Sequence, residues 1–320
     1  MNKPDNKVDL SIVIPVFNEE DVLSSFLKHL LKIIGNIPEI CELILVDDGS
    51  QDKTYEKICQ WAETDKRILG LSFSRNFGKE AAMLAGLEHA IGKAVVIMDG
   101  DGQHPPELLP EMVKPWSSGE ADIVSGFKRG REKDTWFARI MAQVFNGLMR
   151  SMTGLDLTGA SDYRLMDRKV VNSLLRMKER VRFFRGLTSW TGYREVRIPF
   201  DVSERMGGES GWTSRQLVQL AITAITSFTA KPLIWVFGMG AFGILISFLL
   251  GIQALVSQFS GVAVSGWTSL TIVILFFGSA NLIATGLVGI YLARVFDEVK
   301  ARPVYLIQST TGKRSTDLNI

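Results

Sequence analysis

Apolar and polar positions along the first 125 residues form alternating blocks of two kinds. Short apolar runs typical of buried strands are followed by longer segments in which apolar residues recur every three or four positions. The predicted strands are Leu10–Val16, Glu42–Val46, Arg67–Phe73, Ala94–Met98 and Asp122–Ser125. The predicted helices are Glu19–Ile34, Asp52–Thr64, Gly78–Ile91 and Pro106–Trp116. This order predicts an α/β fold with a doubly wound, mostly parallel sheet.

A different apolar pattern occupies the C-terminal third of the chain. No Asp, Glu, Lys, Arg or His occurs between Pro232 and Ala293. Because about 20 apolar residues cross a bilayer as a helix, we expect two transmembrane helices near 232–257 and 268–293. Lys231 precedes this stretch and several basic residues follow it, so the positive-inside rule places both termini in the cytoplasm. The alternative, a hairpin buried in a water-soluble core, would need a very large partner surface.

These patterns divide the chain into four predicted regions. They are a cytoplasmic α/β domain over residues 1–212, an interfacial helix over 213–230, the transmembrane pair within 231–294, and a cytoplasmic tail over 295–320. The segment 213–230 has one apolar face, which fits either a helix lying on a bilayer or a helix packed on a core. Phe137–Met152 allows the same two interpretations. From Ser309 onward the tail is polar, and we expect it to be disordered.

Composition adds less than the pattern does. The chain has 320 residues, 46% of them hydrophobic, and a net charge of +2, which gives no indication of a nucleic-acid partner. Met1–Asp9 is polar and charged, so we expect no secretory signal peptide. Cys41 and Cys59 lack metal-ligand spacing and are interpreted as ordinary thiols in a reducing compartment.

Polar clusters follow four successive predicted strands. In open α/β sheets, ligands bind beyond the carboxyl ends of the strands, so these clusters predict one shared site. One of their acidic residues, Asp52, is also a candidate helix cap. The clusters are Pro15–Glu19, Asp47–Ser50, Arg75–Lys79 and Asp99–Gln103.

The fourth cluster, Asp99-Gly100-Asp101-Gly102-Gln103, indicates a divalent metal and a phosphate. Hard carboxylate oxygens suit Mg²⁺ or Mn²⁺, which commonly binds one or two carboxylates together with substrate phosphates. Glycines on both sides of Asp101 allow a sharp turn close to a ligand. Taken alone, the same cluster could be a solvated acidic turn.

The four clusters together resemble a known family. The motifs are Pro15-x-x-Asn18-Glu19-Glu20, Asp47-Asp48-Gly49-Ser50-x-Asp52, Arg75-Asn76-Phe77-Gly78-Lys79 and Asp99-x-Asp101-x-Gln103. With two C-terminal spans after them, they resemble family 2 glycosyltransferases of the polyprenyl-phosphate type, such as bactoprenol glucosyltransferases and dolichol-phosphate mannose synthases. The resemblance covers roughly residues 8–305. It implies a GT-A fold, a nucleotide-sugar donor, a divalent cation and a lipid-phosphate acceptor at the membrane.

The resemblance also implies roles for individual residues. The implied nucleotide-binding residues are Pro15, Phe17, Asn18, Glu19, Asp47, Asp48, Lys79 and Asp99. Asp99, Asp101 and Gln103 would hold the metal, Mg²⁺ or Mn²⁺, against the diphosphate. Asp101, Asp162 and Arg205 are the implied catalytic residues. Asp162 would lie near the sugar or acceptor, where a base is scarcely needed, and Arg205 would belong to a loop closing over the diphosphate.

The acceptor side of the predicted site is cationic. Lys128, Arg129, Arg131 and Arg139 follow the fifth predicted strand, and such groups could bind a lipid phosphate before it reacts. Their alternative role is a solvated basic face that attracts anionic headgroups.

The expected reaction is an inverting, metal-dependent transfer of a hexose from a nucleotide sugar to polyprenyl phosphate at the inner membrane. UDP-glucose and undecaprenyl phosphate are the first choice on family layout; formamido-arabinose, mannose or an N-acetylhexosamine are alternative sugars. A processive polysaccharide synthase would be expected to carry a Q-x-x-R-W segment and more spans. A different class is a catalytically silent scaffold that binds a nucleotide sugar and recruits a flippase. A homo-oligomer is also expected from the glycine-rich spans.

Overall fold

A computed structural model describes residues 8–102, 104–128, 147, 150–151, 160–180, 182–201, 229, 231–260 and 266–311. The chain divides into two units. The first comprises Met1–Ser214 together with Pro303–Ile320, and the second comprises Arg215–Arg302. The apolar second unit is therefore an insertion between two parts of the first.

The first unit is built on one eight-stranded sheet. Its strands are β1 Leu10–Val16, β2 Cys41–Asp47, β3 Ile68–Phe73, β4 Ala94–Ile97, β5 Ile123–Lys128, β6 Ala160–Asp167, β7 Glu195–Phe200 and β8 Ile307–Thr310. Their order across the sheet is β7-β5-β6-β4-β1-β2-β3-β8. The helices are α1 Glu20–Ile34, α2 Thr54–Thr64, α3 Lys79–His89, α4 Leu109–Ser117, α5 Arg168–Arg176 and α6 Phe184–Trp190, with a 3₁₀ turn at Pro106–Leu108.

Strands β1 to β4 are parallel neighbours whose carboxyl ends meet at one edge of the sheet. In the β1–β2 pair, Val16 lies opposite Asp47, so the first two polar clusters leave the sheet side by side. All residues of these four strands are buried, which explains their nearly continuous apolar runs. The doubly wound, mostly parallel sheet predicted from the sequence is confirmed.

Helices cover both faces of the sheet. Alternate residues of β1, among them Ile12 and Ile14, join one apolar cluster with residues of α1, α2 and α4. Helix α3 packs against β1 and β2 but contributes nothing to that cluster, so it covers the other face. Successive side chains of a strand point to opposite faces, and β1 is therefore buried on both.

Three strands were not predicted. β6 lies between β4 and β5 and runs antiparallel to both, while β7 lies parallel to β5 at one edge. β6 contains Asp162 and Arg164, both buried. These charged side chains interrupt the apolar run on which strand prediction depends. The predicted elements of the first unit otherwise agree with the structure to within three residues at their boundaries.

The tail gives the main correction to the sequence analysis. Disorder was expected from Ser309 onward, but β8 pairs antiparallel with β3, with Ser309 opposite Ser72 and Thr310 opposite Leu71. The expectation is wrong for these residues because the free edge of β3 offers unpaired N–H and C=O groups, which bind a polar strand as readily as an apolar one. Residues 312–320 lie outside the described part of the chain.

The second unit consists of two long helices, α7 Lys231–Phe259 and α8 Trp267–Lys300. Leu233–Leu250 and Phe276–Lys300 are long and apolar enough to cross a membrane. Almost none of either window is buried within the structure, and large apolar side chains such as Phe248 and Leu282 are exposed. α8 extends seven residues beyond the predicted span end at 293. The predicted interfacial helix lies outside the described residues except for Thr229, as do most of residues 137–152.

Candidate active site

A cleft of about 190 Å³ opens beyond the carboxyl ends of the central strands. Each of the four polar clusters named from the sequence contributes at least one residue to its walls. The second cluster contributes Asp48 and the third contributes Lys79. The lining residues are Pro15, Val16, Phe17, Glu19, Asp48, Lys79, Asp99, Gly100 and Asp101. The parallel strands thus bring together residues that lie up to 86 positions apart in the sequence.

The second and third clusters are joined through Asp48. Its carboxylate accepts the backbone N–H groups of Phe77 at 2.7 Å and of Gly78 at 2.9 Å. Burial raises the pKa of Asp48 above its usual value, and the two N–H donors offset part of that rise. Asp48 therefore fixes the backbone just before Lys79, and Asp48 also lines the cleft.

Gly49 allows these two clusters to approach closely. Its φ of +70° belongs to the left-handed region, and a Cβ at this position would lie 2.4 Å from the carbonyl carbon of Arg75. A side chain is therefore excluded both by conformation and by space.

Two residues implied as nucleotide ligands have supporting contacts in the structure. Asp47 is 1% exposed and accepts hydrogen bonds from the Ser72 hydroxyl and the Ser50 N–H. Asn18, with a φ of +53°, accepts the Gln51 N–H at its side-chain oxygen. Neither lines the cleft, so their direct contact with a nucleotide stays a prediction.

Lys79 lies at the centre of the charged groups. Its Nζ is 2.6 Å from Oδ1 of Asp99 and 2.8 Å from Oδ2 of Asp162. Packing around Lys79 acts to lower the pKa of its ammonium, but the two carboxylates outweigh it and raise that pKa above the usual range. The Lys79 side chain is 40% exposed and carries a permanent positive charge on the cleft wall.

Asp162 is held by a second cation that the sequence analysis missed. Arg185 on α6 donates to both oxygens of Asp162, from Nε at 2.7 Å and from Nη2 at 2.8 Å. Burial alone would raise the pKa of Asp162, but Lys79 and Arg185 hold it well below its usual value. A carboxylate with this low pKa is a weak base and is poorly suited to proton abstraction. Its contact with Lys79 suits it better to positioning that side chain.

Glu80 is an acidic neighbour of this network. It accepts the Phe184 N–H at 2.9 Å, at the start of the helix that carries Arg185. Packing around Glu80, reinforced by the charge of Asp162, raises its pKa to about 7. No sequence signal singled out either Glu80 or Arg185, because their relationship depends on how α3 and α6 lie on the sheet.

His104 is a further residue that the motif analysis passed over. Its Nδ1 accepts the backbone N–H of Asp99 at 2.9 Å, and its Nε2 lies 3.1 Å from the Ser161 hydroxyl. The ring is buried and stacked on Tyr163, with 4.9 Å between ring centroids. His104 therefore fixes the backbone from which the Asp99 carboxylate projects. Its place directly after Gln103 was the available signal.

The acidic residues of the fourth cluster fit a divalent cation in part. Asp99 and Asp101 both line the cleft and offer hard oxygen ligands, while Gly102, with a φ of +76°, turns the chain after them. Among the described residues, no group of three or more His, Cys, Asp or Glu side chains could hold a metal alone. Two carboxylates fit Mg²⁺ or Mn²⁺ when substrate phosphates supply further ligands. Gln103 lies outside the described residues.

The structure does not describe the side chains of the cationic residues predicted for the acceptor, nor the predicted loop residue Arg205. Arg129, Arg131, Arg139 and Arg205 all lie outside the described part of the chain. Lys128 is the last residue of β5, and its side chain is likewise not described. Their roles stay predictions.

Known proteins are similar to this chain in sequence. The family model "Glycosyl transferase family 2" matches residues 11–175, which include every described residue of the cleft. The chain belongs to glycosyltransferase family 2. It is thus a glycosyltransferase, and the GT-A fold class implied by the motifs is confirmed. An uncharacterised glycosyltransferase of Synechocystis is 40% identical over 308 residues, 95% of this chain and 96% of that protein.

This family 2 chain is also similar to a phage protein and to a protein of known structure. The bactoprenol glucosyl transferase of Shigella phage SfII is 37% identical over 304 residues, 94% of this chain and 98% of that protein. A crystal structure of glucosyl-3-phosphoglycerate synthase from Mycobacterium tuberculosis is 20% identical, with a TM-score of 0.48, and covers 69% of this chain and 80% of its own.

Proposed function

We propose that this glycosyltransferase transfers glucose from UDP-glucose to a polyprenyl phosphate, with inversion at the anomeric carbon. The observation that carries the proposal is the similarity to bactoprenol glucosyl transferases over 94% of the chain, a length that includes both the cleft and the two apolar helices. A water-soluble acceptor would give the apolar helices no role in substrate delivery.

The cleft offers separate groups for each part of the donor. Phe17 is 42% exposed and, with Pro15, gives an apolar wall suited to a nucleoside base. Lys79 presents a positive charge and Asp99 and Asp101 present carboxylates. A bound Mg²⁺ or Mn²⁺ would neutralise charge on the diphosphate as it leaves. In the protein itself, Lys79 is placed to stabilise that same charge, and Asp162 and Arg185 restrict where Lys79 can move.

The reaction needs orientation more than proton transfer. An oxygen of the polyprenyl phosphate forms a bond to the anomeric carbon, and the bond from that carbon to the UDP oxygen breaks, so that UDP leaves with the electron pair. The attacking phosphate is already ionised at neutral pH and requires no strong base. The low pKa of Asp162 agrees with this requirement. Holding donor and acceptor in line accounts for much of the rate.

The acceptor phosphate is proposed to bind the basic residues Lys128, Arg129, Arg131 and Arg139, with Arg205 closing over the donor diphosphate. Lys128 ends β5, and β5 neighbours β6, which carries Asp162. β6 in turn neighbours β4, and Asp99 follows the end of β4. The basic segment that starts at Lys128 therefore begins two strands away from β4. This proximity in the sheet supports the assignment.

The apolar unit is proposed to anchor the enzyme in the inner membrane as a two-span hairpin, with the glycosyltransferase unit in the cytoplasm. β8 follows the hairpin in the chain and pairs with β3, which precedes it. Both flanks of the hairpin therefore belong to one folded unit on one side of the membrane, and the number of crossings between them must be even. Two helices of sufficient length satisfy that condition. A homo-oligomer and a flippase partner are proposed on the sequence argument alone.

A panel of nucleotide sugars tests the donor and the reaction class together. The purified full-length protein is incubated with undecaprenyl phosphate, Mn²⁺ or Mg²⁺ and UDP-glucose, UDP-N-acetylglucosamine or GDP-mannose, and the lipid products are identified by mass spectrometry. We expect a hexosyl phosphate lipid from UDP-glucose. A lipid product from another donor would overturn the choice of sugar but keep the reaction. Donor binding with no lipid product from any donor would favour the silent scaffold.

A further inference from the structure

We propose that the segment Pro303–Thr311, called the tail strand segment, positions the donor loop Arg75–Lys79, and that Tyr305 is its principal positioning residue. The inference rests on the proposed donor site, because the donor loop ends in Lys79 on the cleft wall. The tail strand segment begins three positions after Lys300, the last residue of α8. Nothing in its sequence indicates a role in donor binding.

The backbone of the segment is tied to the start of the donor loop. β8 pairs with β3, and the Ser74 N–H, directly before the loop, donates to the Leu306 carbonyl at 3.0 Å. At the other end of the pairing, the Gly70 N–H donates to the Thr311 hydroxyl at 2.7 Å and the Thr311 N–H donates to the Gly70 carbonyl at 2.8 Å. A Cβ on Gly70 would lie 2.9 Å from that hydroxyl, so glycine permits this approach.

Aromatic rings continue the connection into the loop. The Tyr305 ring stacks on Phe73 with 4.9 Å between centroids and 15° between planes. Phe73 in turn meets Phe77 edge to face, at 5.8 Å and 88°. Phe77 is one of the two loop residues whose N–H groups donate to Asp48, and the Arg75 guanidinium lies over its ring at 4.2 Å. Three rings therefore join the segment to one of the hydrogen bonds that fix the loop.

Tyr305 also contacts the element on the far side of the loop. Its hydroxyl donates to the carboxylate of Glu88 in the last turn of α3. α3 begins at Lys79, so one side chain touches both β3, which leads into the loop, and α3, which leads out of it. Glu88 lies nine residues beyond Lys79, so this contact holds α3 at its far end, while the stacking on Phe73 holds the strand that leads into the loop. This is the geometry of a positioning residue rather than of a simple edge cover.

The test measures the loop and the nucleotide directly. The full-length protein in detergent is titrated with UDP in the presence of Mn²⁺, and hydrogen–deuterium exchange is followed in peptides that cover residues 74–79. Tyr305→Ala should weaken UDP binding about 3- to 10-fold, the range typical of one aromatic contact, and should raise exchange in the loop. Tyr305→Phe keeps the ring and loses only the hydrogen bond to Glu88, so it should weaken UDP binding less than Tyr305→Ala does. Leu306→Ala is the matched control, because its side chain is 54% exposed in the same segment.

Each outcome decides the inference. UDP binding and loop exchange that are the same in Tyr305→Ala and Leu306→Ala would overturn it, as would a lower melting temperature with unchanged UDP affinity. If Tyr305→Ala does not fold, Tyr305→Leu, which keeps apolar cover on Phe73 without a planar ring, takes its place, and wild-type affinity in that variant contradicts the proposal. A wild-type protein that binds UDP but forms no sugar lipid would refute the proposed function, while the affinity comparison would still decide the role of Tyr305.

Discussion

The Nζ atom of Lys79 lies 2.8 Å from Oδ2 of Asp162, a residue 83 positions later in the chain. This contact ties the first residue of α3 to β6, the antiparallel strand next to β4. It also determines where the one cation on the described cleft wall can reach.

Asp162→Asn should destabilise the glycosyltransferase unit. The change leaves Lys79 and Arg185 without the buried carboxylate that they share, and because both cations are 40% exposed we expect a loss of about 1–3 kcal/mol, between that of an exposed pair and that of a buried pair. Thermal unfolding of the purified protein, followed by tryptophan fluorescence, measures the effect.

Asp122→Asn is the matched control for that substitution. Asp122 also pairs with two cations, Lys169 and Arg194, but their side chains are 52% and 63% exposed. Exposed pairs contribute about 0–1 kcal/mol, so this variant should unfold close to the wild-type temperature. Equal losses in the two variants would show that the network around Lys79 contributes no more than a surface pair.

His104→Ala should reduce activity through Asp99. Without Nδ1, the Asp99 N–H loses its acceptor and the carboxylate loses its fixed backbone. Residues that orient a metal-ligating residue through a hydrogen bond typically contribute about 10- to 100-fold to activity or metal affinity. We expect a fall of that order in kcat. His104→Asn can restore an acceptor and should recover part of the activity. Wild-type kcat in His104→Ala would contradict the assigned role.

Gly49→Ala should disturb the donor loop and raise the KM for the nucleotide sugar. The residue must adopt a φ of +70°, and its Cβ would collide with the Arg75 backbone. The conformational cost is about 1–2 kcal/mol, and forced overpacking adds about 1–3 kcal/mol. Gly119→Ala separates the two effects, because Gly119 has a φ of +74° but nothing within 4 Å of an added Cβ. It should lose only the conformational part and keep the wild-type KM; equal stability losses in the two variants would exclude the collision.

Glu80→Gln should change the dependence of stability on pH. The pKa of Glu80 is about 7 in the folded protein against 4.5 for an ordinary glutamate, so the native state binds this proton more tightly. Stability from the protonated side chain is therefore present below about pH 4.5 and is lost as the pH rises to about 7. Gln keeps an acceptor for the Phe184 N–H and does not titrate. The melting temperature of Glu80→Gln relative to wild type should rise between pH 4.5 and pH 7, by the equivalent of up to about 3 kcal/mol; a constant difference would contradict the raised pKa.

The sequence predicted the parts of the fold that depend on local pattern. β1 to β5 and α1 to α4 have apolar patterns of their own, as continuous runs in the strands and as spaced positions in the helices. The parallel direction of β1 to β4 brings their polar clusters together. β6 and β8 do not have such a pattern. β6 carries the buried charge of Asp162, which is paired with cations on other elements, and β8 has four residues that form a strand because the edge of β3 is free.

The same distinction applies to the site. Asp48, Lys79, Asp99 and Asp101 stand in motifs and were found from them, and all four line the cleft. Arg185 stands in no motif, and its bidentate contact with Asp162 exists only after α6 has packed beside β6. Long-range ion pairs of this kind leave no spacing in the sequence by which they could be predicted.

The most direct test of the proposed function follows glucose itself. Purified full-length protein is incubated with radiolabelled UDP-glucose, Mn²⁺ and undecaprenyl phosphate, and the label that moves into organic solvent is counted for wild type and for Asp101→Asn, with and without a chelator. We expect lipid-soluble label from the wild-type protein that falls to background in the variant and after chelation. Label that is absent with the wild-type protein, or undiminished in Asp101→Asn and after chelation, would contradict it.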